Sequence, residues 1–151
     1  MRFETAREVI EHASNFHSEL SDFYKTLAAE HKTDKTKLLL DYLTQHELEL
    51  ADAISRYKSD TSAGILDTWF QFTQEQDILK IAQHDALCGE ASTDDITAFF
   101  MSVGDQLITL YKEMASQADE PDLKNVFTNL IDMQTREHRK FTMNVDRMMD
   151  W

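Results

Sequence analysis

Turn-forming residues are nearly missing from this chain. Its 151 residues include only 3 Gly and 1 Pro. Tight reversals draw heavily on those two residue types, so so few of them imply few reversals and long elements between. The apolar residues then decide which element. They recur at steps of three and four, the period of a helix with one buried face. A chain of this length is expected to form one domain, residues 1–151, around one core.

Four segments carry that period, at about 3–31, 34–58, 94–118 and 121–150. The first places Ala6, Val9, Ala13, Phe16, Leu20, Phe23, Tyr24 and Leu27 on one side. The second follows "KTDK", where Asp34 is a candidate cap, and its stripe includes Leu39, Leu40, Leu43, Leu50, Ile54 and Tyr57. The third opens at "STDD", with Ser92 and Asp95 spaced as a capping box. Its stripe runs from Ile96 through Phe100, Val103, Leu107 and Leu110 to Met114. The fourth starts at Pro121, a residue suited to the first helical position, and carries Leu123, Phe127, Leu130, Phe141, Val145 and Met148.

The first and last connections are short, but residues 60–91 form a long one. This segment holds "ILDTWFQF" and "DILKIAQHDAL", apolar enough to pack as short helices. Short, long, short is the connection pattern of an all-α four-helix bundle with one crossover. An internal repeat agrees with it. "LSDFYKTLAAE" from Leu20 recurs as "LITLYKEMASQ" from Leu107, with Leu, Tyr, Lys and Ala coinciding. The same offset pairs Leu43 with Leu130 and Ile54 with Phe141, as a duplicated helix pair would.

Polar residues that fall on apolar faces are the candidate site. At about 100° per residue, His17 lies near the first stripe, and His46 and Glu47 flank the second on opposite sides. Gln134 lies near the centre of the fourth stripe, with Glu137 and His138 beside it. The third helix turns no carboxylate inward, and Asp105 is on its far face. His17, His46, Glu47, Gln134, Glu137 and His138 all sit near the middle of their helices, so antiparallel packing brings them to one level. A buried carboxylate needs a partner, and imidazoles or a metal are the candidates.

Charge and composition narrow the function. The net charge is −13, from 15 Lys and Arg against 28 Asp and Glu. Nucleic acid and anionic membrane surfaces are therefore expected to be excluded as partners. The single cysteine, Cys88, permits no internal disulfide, which fits a reducing, cytoplasmic setting. The charged start "MRFETAREVIEHASNFH" has no apolar signal region, and no apolar run reaches the ~20 residues of a membrane span. Cys88 has no activating neighbours, and the glycines form no phosphate-binding loop. Trp69, Phe70 and Phe72 in the crossover either cover the bundle as core or present a homodimer surface, and Met148, Met149 and Trp151 offer a second contact.

The helix carrying "FHSELSDFYKTLA", a second helix with central Glu47, the long crossover and the repeated pair together resemble the ferritin-like superfamily, nearest its rubrerythrin-like members. The resemblance implies an up-down-down-up bundle over the whole chain. It also implies a di-iron site, with a Glu on the first and third helices and Glu-x-x-His on the second and fourth. Against that pattern the first-helix position is His17, and the second reads Glu47-Leu48-Glu49-Leu50. The third falls at or near Gly104, and the fourth reads Gln134-Thr135-Arg136-Glu137 or, shifted by one, Thr135-x-x-His138.

Two functions follow. One is a ferritin-like bundle with a degraded di-iron site, non-catalytic, bearing no cofactor and serving structure or partner binding. The other is an iron or zinc protein, or an oxidoreductase, using His17, His46, Glu47, Glu137 and His138 as a non-standard site. A hemerythrin-like carrier is set aside because His12 and His17 stand five apart and face different ways.

Overall fold

In the computed structural model the described residues are 2–31, 33–72 and 91–149. They form an all-α chain with one small strand pair. The helices are α1 (Ala6–Glu30), α2 (Asp34–Asp60), the single turn α3 (Ala63–Leu66), α4 (Thr93–Gln117) and α5 (Pro121–Met149). The strands β1 (Arg2–Thr5) and β2 (Trp69–Phe72) pair antiparallel. Among the described residues, no helix is long and apolar enough to cross a membrane.

Local chemistry sets the helix ends. α1 opens on a reciprocal cap in which the Glu8 amide donates to Thr5 Oγ1 at 3.2 Å and the Thr5 amide donates to Glu8 Oε1 at 3.3 Å. The expected box at the start of α4 is present, Asp95 N to Ser92 Oγ and Ser92 N to Asp95 Oδ2, both 3.0 Å. The Ser92 backbone N–H, followed by its hydroxyl, holds the Asp95 carboxyl below its usual range. Thr33, rather than the expected Asp34, stands at the cap of α2, and Asp34 is the first helical residue. Beyond α1, the ring nitrogens of His31 lie 2.8 Å from the Leu27 carbonyl oxygen and 2.9 Å from that of Ala91. That imidazole ties the end of α1 to Ala91, two residues before α4.

Residue pairs give the directions of the long helices. Ser14 and Ser21 on α1 donate to the carbonyls of Ala51 and Thr44 on α2, both at 2.8 Å. The first partner number rises as the second falls, so α1 and α2 are antiparallel. On α2 and α5, Tyr42 meets Asn144 while His46 meets Glu137, again in opposite senses. On α4 and α5, Phe100 packs on Phe141 with ring centroids 4.2 Å apart, and Gly104 lies under His138. The core these contacts enclose includes Phe16, Leu20, Leu39, Leu43, Ile54, Ile96, Leu107, Phe127, Leu130 and Phe141, all buried.

Two expectations change here. Residues 3–5 extend the apolar pattern of α1 but belong to β1, because their backbone pairs with 69–72 in the register Phe3↔Gln71 and Thr5↔Trp69. The "ILDTWFQF" stretch is correspondingly divided, with a helical turn ending at Leu66 and a strand from Trp69 in place of one short helix. Alternation in that strand buries Phe70, whose ring stands edge-on to Phe127 at 5.4 Å, and leaves Trp69 64% exposed. Phe70 is thus core and is withdrawn from the expected dimer surface. The "DILKIAQHDAL" segment, Cys88 and Trp151 lie outside the described residues, as do the side chains of Phe72 and Met149.

Candidate functional site

The α1–α2 contact is close because small side chains line it. Ser14 and Ser21 each reach a backbone carbonyl of the facing helix, which holds the two backbones near one another on either side of residue 17. His17 therefore meets Glu47 directly. Its Nδ1 donates to Glu47 Oε2. Both side chains are almost wholly buried, at 1% and 2% exposure. The expected need of Glu47 for a partner is met by an imidazole from the neighbouring helix.

One residue earlier on α2, the helix turn directs His46 to the opposite flank, toward α5. Its Nδ1 lies 3.3 Å from Glu137 Oε2, and Glu137 reaches solvent with 25% exposure. The ring stacks on Tyr42 at 5.8 Å and stands edge-on to Phe100 at 5.5 Å. Burial pushes the His46 imidazole below its ordinary value. Glu47 and Glu137 oppose that shift, while His17 and Lys140 add to it.

One residue after Glu137, His138 turns toward α4. Its ring lies against Phe100, centroids 5.7 Å apart, and directly over Gly104. Its Nδ1 is 3.8 Å from Asp105 Oδ1, a carboxylate that is itself 73% exposed. Burial lowers the His138 pKa too, with Asp105 and then Glu47 acting against it. Gln134, one turn earlier on α5, is buried as its position near the stripe centre implied.

Two tyrosines complete the layer, and the wheel alone did not single them out. Tyr24 on α1 and Tyr111 on α4 are fully buried, and the pKa of each hydroxyl is raised, first by burial and then by the charge of Glu47. They occupy the same place in the internal repeat, so the repeat was the signal that pointed to Tyr111. Glu47 is accordingly the charge common to the layer: it is felt at Tyr24, Tyr111, His46 and His138.

Among the described residues, the buried atoms His17 Nε2, His46 Nε2, His138 Nε2, Tyr24 Oη, Tyr111 Oη and Gln134 Oε1 have no hydrogen-bond partner within the protein. Buried polar atoms in folded proteins are nearly always bonded, to protein or to ordered water, so these six are places where bound water is expected. The candidate residues nevertheless form pairs rather than one cluster. His17 meets Glu47 and His46 meets Glu137, and among the described residues no three His, Cys, Asp or Glu are gathered as a ready-made ion site.

The donor set does not fit paired irons. A di-iron carboxylate centre uses four Glu and two His. Here the inward carboxylates are Glu47 and Glu137, each facing an imidazole, while the first-helix position is His17 and the third is Gly104. Comparison with known proteins adds no relative: no family model, no curated protein and no solved structure matches this chain.

Proposed function

We propose that this chain is a ferritin-like four-helix bundle, with the up-down-down-up course of that superfamily, that carries no di-iron chemistry and acts through binding or assembly. The antiparallel pairings of α1 with α2, α2 with α5 and α4 with α5 support this course, as does the repeat linking Tyr24 to Tyr111. The observation that carries the loss of paired irons is the His138 ring seated over Gly104. The resemblance calls for a carboxylate near that point, and no side chain fits there while the imidazole stays.

In this reading the His17–Glu47 and His46–Glu137 pairs specify which residues of the helices meet. A buried pair adds little net stability, but any other register leaves its charge unpaired, and that cost selects one alignment. Trp69, exposed on β2, is the contact through which two copies would associate.

Anaerobic loading of the tag-free protein with ferrous iron, followed by oxygen, tests the reading. Two irons per chain and an oxo-bridge absorption band would sink it, and the expected result is neither. Sedimentation tests the association: a monomer at high concentration removes the homodimer, and a dimer should be lost in Trp69→Ser.

A further inference from the structure

We infer that His31 is a proton-operated clasp: with a proton on both ring nitrogens it bonds the end of α1 to Ala91, and loss of either proton loosens that tie.

The two partners of the ring carry the inference. Nδ1 lies 2.8 Å from the Leu27 carbonyl oxygen, and Nε2 lies 2.9 Å from that of Ala91. Both partners accept and neither can donate. A neutral imidazole has one N–H and one lone pair, so it serves one of these oxygens and turns a lone pair on the other. Only the imidazolium donates to both. The other buried imidazoles differ. His17, His46 and His138 each turn Nδ1 toward a carboxylate, and none has a second acceptor within the protein on Nε2.

The position suits a cation. His31 is the C-cap of α1, and the last turn of that helix has no basic residue. The end of a helix carries partial negative charge, which favours a positive group there. Burial opposes the charge, since His31 is only 5% exposed. Two bonds from an ionised donor, each stronger than a neutral one, act against that cost. The charged groups on the elements that meet here are Glu30 on α1, Asp34, Lys35 and Lys37 on α2, and Asp94 and Asp95 on α4. All six are exposed, and among the described residues none of them bonds to the ring. Lys32, next in sequence, lies outside the described residues.

The clasp has a defined place in the fold. The crossover is moored to the start of α1, where the Ala6 amide donates to the Thr68 carbonyl at 2.8 Å and β2 pairs with β1. His31 moors its far end to the other terminus of the same helix. Of these two moorings only the second depends on a proton. Above the ordinary histidine range, about 6.5, the folded chain then holds a proton that the unfolded chain has lost. The stabilisation is present in full below that range and is lost as pH rises. Its sign is opposite to that of His46 and His138, whose burial disfavours the proton.

Ring-nitrogen NMR of the full-length protein at pH 7.5 tests the clasp directly, with the His31 ring identified by its contacts to Leu27 and Ala91. Both nitrogens should be protonated, whereas an ordinary imidazole is about 90% neutral there. Urea unfolding of the wild type and of His31→Gln from pH 6 to 9 reads the energetic side. The unfolding constant of the wild type should rise relative to that of the variant, by up to about tenfold per pH unit, because the other titrating groups are common to both. If His31→Gln does not fold, the NMR measurement on the unmodified chain decides alone. A His31 ring with one unprotonated nitrogen at pH 7.5, or a ratio of unfolding constants that stays level from pH 6 to 9, overturns the inference.

Discussion

A Cβ at Gly104 would stand inside the imidazole of His138. The two residues sit on facing helices, and the ring uses the room that any other residue at 104 would fill. Both helices are otherwise packed by Phe100, Phe141, Leu107 and Leu130, which are buried and leave little slack.

Gly104→Ala should therefore reverse the usual sign. A glycine inside a helix normally gains about 0.5–1 kcal/mol on conversion to alanine. Here the added methyl must displace a packed ring, and overpacking of that kind costs about 1–3 kcal/mol. Urea unfolding should show a net loss for Gly104→Ala. In a His138→Ala background the same substitution should be neutral or stabilising. A stabilised single variant would mean that the ring does not occupy that space.

Glu47→Ala should be among the most damaging single changes. It strands His17 in a buried contact, and breaking a buried pair by removing one partner costs about 3–5 kcal/mol. The double variant His17→Leu with Glu47→Met should recover most of that loss, since similar volumes replace both polar groups at once. Chemical denaturation of the single and double variants measures the difference. Equal losses in the two would show that volume, not pairing, matters at this contact.

Stability should fall on mild acidification. His46 and His138 have pKa values below their ordinary 6.5 in the folded chain, chiefly through burial. The unfolded chain then binds more protons than the folded one as pH drops through that value, so stability is full above it and is lost below it. Each such group steepens the dependence by at most about 1.4 kcal/mol per pH unit. Thermal midpoints should decline between about pH 6.5 and 5, above the range in which ordinary carboxylates titrate. His46→Gln or His138→Gln should flatten that decline if it still folds. An unchanged slope in both would assign it to other groups.

The start of α4 offers a change remote from the polar layer. Ser92→Ala removes the acceptor for the Asp95 amide and should cost about 1 kcal/mol. Urea unfolding of the variant measures the loss, and an unchanged midpoint would show that the cap adds nothing to the stability of the fold.

Much of the architecture was legible because it is local. The starts of the helices at Thr93 and Pro121 follow from a cap and a proline that act within a few residues. The apolar spacing turned His17, His46, Glu47, Gln134 and His138 inward, and all are buried. The strand β1 was hidden because Phe3 continues the spacing of α1, and its partner lies far along the chain; only pairing across that distance makes it extended. The "TARE" box at Thr5 was readable and would have placed the helix start correctly. Which carboxylate faces which imidazole was not readable. Level along a helix follows from residue number, whereas Glu137 meeting His46 instead of His17 depends on how α5 is rolled against α2.

The strand pair also bears on the order of assembly. α1 and α2 are joined by a few residues and can zip together early, since closing a short loop costs little entropy. The ribbon of Arg2–Thr5 with Trp69–Phe72 must wait until the chain has returned past both helices and the turn ending at Leu66. It is thus a late latch on the first hairpin, and weakening it should speed unfolding more than it slows folding.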